Sequence, residues 1–106
     1  MRTIEVTDSN LNELAQKHKF LVVDFFSDYC PPCKMMEPII EELASQFKGK
    51  IVFGKLDVSE NKVAPEHYGV TGIPTLLVFK DGKHVDSIVG LKLKQNLIDY
   101  FNKLLE

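Results

Sequence analysis

Both cysteines of this 106-residue chain, Cys30 and Cys33, fall in one short segment, "DYCPPCK", with two prolines between them. Two thiols at that spacing can close a small disulfide ring, supply half of a metal site, or lie buried as an inert pair. A structural zinc ion takes four ligands. The chain adds three histidines, His18, His67 and His84, and none stands at metal-ligand spacing from the cysteines. Redox chemistry is therefore the expectation, with no metal and no cofactor. If the segment joins a strand to a helix, Cys30 sits at the helix N-terminus. Unpaired amides and the helix dipole favour an anion there. The anion would be a thiolate, the species that attacks disulfides. Lys34 adds positive charge beside it.

The surrounding pattern supplies such a joint. "FLVVDFF" (20–26) is an apolar run broken by one acid, the pattern of a strand covered on both faces. "KMMEPIIEELASQF" after the thiols is apolar at Met35, Met36, Ile39, Ile40, Leu43 and Phe47, a helical spacing. Upstream, "TIEV" (3–6) predicts a short strand. Leu11, Leu14 and Ala15 predict a helix capped by Asp8 or Ser9. Downstream, "KIVFGKLDV" predicts a strand, and "ENKVAPEHYG" a short helix or turn ended by Gly69. "TLLVFK" and "KHVDSIVG" flank Asp81-Gly82, a strong hairpin signal. The tail places Leu93, Leu97, Tyr100, Phe101 and Leu104 on one helical face. The order β-α-β-α-β-(α)-β-β-α predicts an α/β, three-layer fold. A mixed sheet of about five strands is covered by helices on both faces. One domain, residues 1–106, is expected.

Asp24 is the acid inside the apolar strand. Period two places it on the face shared by Val22 and Phe26. It is either a buried acid with a raised pKa or an acid at a wet strand position. Perturbed acids concentrate at functional sites, which favours the first reading. Pro38 falls within the second helix and should kink it. Met35 and Met36 read as packing residues, and the histidines as surface residues.

Composition narrows the partners. The hydrophobic fraction is 44% and the formal charge is −2. Neither suggests nucleic acid or a membrane surface as partner. "MRTIEVTDSN" turns polar at once, and no run reaches the roughly 18 apolar residues of a membrane span. A reducing, cytoplasmic setting is the expectation, and a purely structural disulfide is uncommon there.

"VVDFFSDYCPPCKMMEPIIEELA", "KLDVSEN", "GIPTLLVFKDG" and the Gly90 that follows "HVDSIV" resemble the thioredoxin family, in order and over nearly the whole chain. The resemblance implies the thioredoxin-like fold and reduction of protein disulfides, with electrons resupplied by a thioredoxin reductase. It implies disulfide-containing target proteins as partners and a monomer. Cys30 would attack the target and Cys33 would resolve the mixed disulfide. Asp24 would accept the Cys33 proton, and Lys55 matches the family lysine near that acid. Taken locally, Lys55 reads equally as a solvated strand-end lysine. Most X–Pro bonds are trans, but the likeness of "GIPT" to the family's cis-proline loop reverses that expectation for Pro74. Tyr29, Pro31, Ile73, Pro74 and Gly90 would form an apolar surface for the target, although Tyr29 alone reads as an ordinary surface aromatic. The family usually has Trp-Cys-Gly-Pro-Cys. Here Tyr29 replaces the tryptophan and Pro31 the glycine. Two other functions stay open: an adaptor with incidental thiols, and a disulfide oxidant or isomerase.

Pro31 removes an amide that a glycine would offer to the Cys30 sulfur. One hydrogen bond is worth roughly 0.5–1.5 kcal/mol, or roughly 10–30 mV for a two-electron couple. Pro31→Gly is expected to form the Cys30 thiolate more readily and to have a less negative reduction potential. Thiolate absorbance against pH and equilibration with dithiothreitol read the two. Shifts of both in the opposite direction would assign the effect to ring rigidity instead.

Overall fold

β2 (Phe20–Phe26) is the strand on which the sheet is built. In the computed structural model, which describes residues 2–106, β2 has a neighbour on each side and an apolar layer on each face. β1 (Ile4–Glu5), α1 (Leu11–Lys17) and β2 are followed by α2 (Pro31–Gln46) and β3 (Val52–Asp57). Then come α3 (Val63–His67), β4 (Thr75–Lys80), β5 (Lys83–Val89) and α4 (Lys94–Leu104). The strand order is β1-β3-β2-β4-β5. β1 and β2 run parallel to β3, whereas β2–β4 and β4–β5 are antiparallel. The mixed five-stranded sheet expected from the sequence is the one observed.

Alternation along β2 divides the core. Phe20 and Val22 pack with Met36, Ile40 and Leu43 of α2 and with Leu97 and Phe101 of α4. Leu21, Val23 and Phe25 pack on the other face with Leu11 and Ala15 of α1 and Ala64 of α3. An apolar run without alternation is what this two-sided burial requires. Phe53 and Phe101 meet edge to face at 5.3 Å, and Phe47 packs on Phe101 in the same manner at 6.0 Å. This cluster fastens α4 to the sheet on the side that α2 covers. Asp81 and Gly82 both have positive φ, 52° and 83°, the backbone of a two-residue hairpin turn that matches strand twist.

Several local expectations differ from the structure. The first strand is limited to Ile4–Glu5, shorter than 3–6. α1 is capped at Asn10, not at Asp8 or Ser9, and its start makes no side-chain cap bond. The Asp8 carboxylate instead accepts from the amides of Val63 and Ala64, at 3.1 and 2.8 Å. Those amides open α3 and lack intrahelical partners, so they draw the anion across the chain. Met35 is 61% exposed and Leu93 72% exposed, so neither is a packing residue. Met35 precedes the buried Met36 and is turned off the face that covers the sheet, and Leu93 caps α4 instead of joining its apolar stripe.

Gly54 sits opposite Ile4 in the β1–β3 ladder. A methyl group there would overlap Val6 Cγ2 and stand 3.3 Å from the Ile4 carbonyl oxygen. Gly54→Ala is therefore expected to destabilise the protein by about 1–3 kcal/mol, the usual cost of overpacking. A urea midpoint equal to wild type would contradict close packing of β1 on β3.

Candidate active site

The polypeptide leaves β2 at Phe26, turns through Ser27–Tyr29 and enters α2 at Pro31. The Ser27 carbonyl oxygen accepts from the Cys30 amide at 3.3 Å, and its hydroxyl oxygen accepts from the Tyr29 amide at 3.2 Å. Cys30 is the N-cap of α2, with extended backbone (φ −115°, ψ 103°). Pro31 and Pro32 fill the first two helical positions, where an amide has no partner within the helix, so they cost the helix little. The first free amide is that of Cys33, and it donates to Cys30 Sγ at 3.2 Å. A sulfur atom thus occupies the place that a serine or aspartate oxygen commonly fills.

Cys30 and Cys33 are joined by a disulfide, with Cα atoms 5.2 Å apart. Their surroundings differ. Cys30 is half-buried at the rim, and the Ile73 carbonyl oxygen lies 3.8 Å from its sulfur. Cys33 is 3% exposed. Among the described residues, no group of three or more His, Cys, Asp or Glu side chains could hold a metal ion.

Asp24 is 1% exposed, and neither carboxylate oxygen has a hydrogen-bond partner. Desolvation pushes its pKa up to about 7; the Lys55 charge opposes the rise and the Glu37 charge adds to it. Asp24 and Lys55 are direct neighbours in the parallel β2–β3 register. The Lys55 ammonium, however, is bonded to Glu37 Oε2 at 3.0 Å and lies 4.5 Å from the centre of the Phe26 ring. The family resemblance implied Lys55 near the acid, as the register shows, but nothing in the sequence pointed to Glu37. A lone glutamate on a charged helix face reads as solvated, and only the contact reveals the pair.

The remaining site candidates gather around the thiols. The Ile73–Pro74 bond is cis, and Pro74 is buried. The Pro74 carbonyl oxygen accepts from the Gly90 amide at 2.8 Å, which ties β4 to the end of β5. Gly90 has φ +91°, a left-handed conformation that suits glycine. Ile73 is half-buried, Pro31 exposed and Tyr29 90% exposed. Val89 and Leu91 flank Gly90 and are also exposed, as is Met35 on α2. Reading the sequence did not single out Val89 or Leu91 and took Met35 for a packing residue, because exposure is not visible in a periodic pattern. Val58, Val70 and Gly72 line a shallow groove that continues from Ile73.

The raised pKa has a consequence for stability. The acid is neutral more readily in the native state than in the unfolded chain, so the unfolded state loses its proton first. Its contribution is fully present below about pH 4, the unfolded value, and is lost as pH rises towards about 7. Asp24→Asn should remove this loss and stabilise the protein above neutrality by up to roughly 4 kcal/mol, the equivalent of about three pKa units. Below pH 4 the variants should converge. Equal urea midpoints at pH 8 would contradict the burial.

The comparisons with known proteins agree with this geometry. The thioredoxin family model matches residues 2–103. A thioredoxin of Staphylococcus haemolyticus is 47% identical over 105 residues, covering 99% of this chain and all of that one. A thioredoxin of Rickettsia felis is 40% identical over 99 residues, 92% of this chain and 94% of its own. Among solved structures, a mutant thioredoxin from Halobacterium salinarum superposes with a TM-score of 0.90 at 34% identity, covering 98% of this chain and 91% of that chain. With a CxxC disulfide at the head of α2 in the matching fold, the chain belongs to the thioredoxin family of thiol-disulfide oxidoreductases.

Proposed function

We propose that the chain is a general protein-disulfide reductase in which Cys30 attacks and Cys33 resolves. The observation that carries this reading is the unequal setting of the two sulfurs: Cys30 caps α2 at the rim, and Cys33 is buried one turn in. The Cys30 thiolate attacks one sulfur of a target disulfide. A bond forms between Cys30 and that sulfur, and the other target sulfur leaves as a thiolate. Asp24, as carboxylate, accepts the proton of Cys33. The Cys33 thiolate then attacks the Cys30 sulfur, the second target sulfur leaves and takes up a proton, and Cys30–Cys33 becomes the disulfide. Two electrons have passed to the target. Both thiols belong to one helical turn, so the second attack is effectively unimolecular.

The exposed apolar residues around the thiols support target docking. Tyr29, Pro31, Ile73, Pro74 and Gly90 would receive an extended target segment beside the Cys30 sulfur, with Val89 and Leu91 at the margin. Lys55 would tune Asp24. A thioredoxin reductase would return the two electrons, and the protein would act as a cytoplasmic monomer. No helix among the described residues is long and apolar enough to cross a membrane.

Insulin reduction with dithiothreitol as electron source tests the reading. The protein should precipitate insulin well ahead of dithiothreitol alone, and Cys33→Ser should accumulate mixed disulfides through Cys30. A rate equal to that of dithiothreitol alone would favour an adaptor with incidental thiols.

A further inference from the structure

The lysine paired in register with the buried acid donates its hydrogen bond to a different carboxylate. Asp24 and Lys55 face each other across adjacent strands, yet the Asp24 oxygens have no partner. The Lys55 ammonium is bonded to Glu37 on α2. Its side chain is only 18% exposed, whereas Glu37 is 53% exposed, so the pair closes the rim at the solvent edge. Phe26 lies under the ammonium and fixes it from the sheet side. The other acids on the surrounding elements make no ion pair with Lys55. Glu41, one turn further along α2, accepts from the Thr3 hydroxyl at 2.7 Å and the Arg2 amide at 3.1 Å. Burial would raise its pKa, but these bonds and the Lys55 charge lower it, so it adds a second negative charge near the ammonium without bonding to it. Asp57 at the end of β3 accepts from the Ser59 amide at 2.9 Å. Glu5 of β1 follows Thr3 and Ile4 along the same cleft as Lys55 without bonding to it.

We propose that Glu37 is a positioning residue for the resolving step: by holding Lys55 at the rim it keeps the lysine from neutralising Asp24, and so sets the pH at which Asp24 can take the Cys33 proton. A lysine free to swing inward would pair with the carboxylate and favour its ionised form, making it a weaker base. Glu37 also places its own negative charge on this side of Asp24, which acts in the same direction. The proposal rests on Asp24 serving as the proton acceptor in the reductase reading above.

The test follows the reduced protein reacting with an aromatic disulfide that releases a coloured thiolate, in stopped flow across pH 5–9. The first release reports attack by Cys30 and the second reports resolution by Cys33. Glu37→Gln should leave the first phase unchanged. It should move the midpoint of the second phase down by about half a unit or more, a roughly threefold faster resolution well below the midpoint. Glu37→Asp should return the midpoint towards wild type. In a Lys55→Met background the effect of Glu37→Gln should shrink, because the charge that Glu37 restrains is gone. An unchanged or raised midpoint would overturn the proposal, as would a shift of full size without Lys55. The pH dependence of stability, with Glu37→Gln compared against Glu37→Gln/Asp24→Asn, reads the same Asp24 titration without turnover and decides the case even if resolution is limited by another step. Loss of the first phase in the wild-type protein would count against the reductase reading itself, and is a separate result.

Discussion

A single hydrogen bond, from the Cys33 amide to the Cys30 sulfur, joins the folding of α2 to the chemistry of the site. A helix leaves its first amides without internal partners. In α2 the first two positions are prolines, so the next amide is the one that must be met. The sulfur that meets it is also the atom proposed to attack targets. The cap therefore works on two levels. It starts the helix, and it directs a donor and the positive end of the dipole at an atom that must become an anion. Neither function can be moved to another residue without moving the other.

That arrangement needs a rigid strand behind it, and β2 provides one. It is hydrogen-bonded on both edges and covered on both faces, so its C-terminal end has little freedom. The same burial surrounds Asp24, the one charge-bearing side chain within the strand, and leaves it without a partner. A buried, unpaired carboxyl group lowers stability. It also raises the pKa of Asp24 to about 7, which suits the proton-accepting role proposed for it better than an exposed aspartate would. The Lys55–Glu37 pair marks where this interior meets solvent.

The layers were legible because their residues report burial directly. "FLVVDFF" has no alternation and is covered on both sides, and Asp81-Gly82 needs the left-handed backbone that it adopts. The thiols were legible from spacing and the position of the strand end. Long-range polar contacts were not. Asp8 reads as a cap for the helix that follows it, but its oxygens meet α3 more than fifty residues away. Met35 and Leu93 fit an apolar stripe by spacing, and the turn of the helix and the position of the cap leave them exposed. Glu37 carries no local signal, since its meaning depends on a lysine from another strand. Pattern reads which face is covered; it does not read which partner a charged side chain finds across the fold.

The central claim is that the strand-to-helix joint makes two chemically unequal thiols. Limiting alkylation of the reduced protein at neutral pH, with the adduct mapped by peptide mass, measures that inequality most directly. Predominant modification of Cys30, with Cys33 labelled only after the protein is unfolded, is the result this account predicts. Predominant labelling of Cys33 in the native protein, or equal labelling of both, would contradict it.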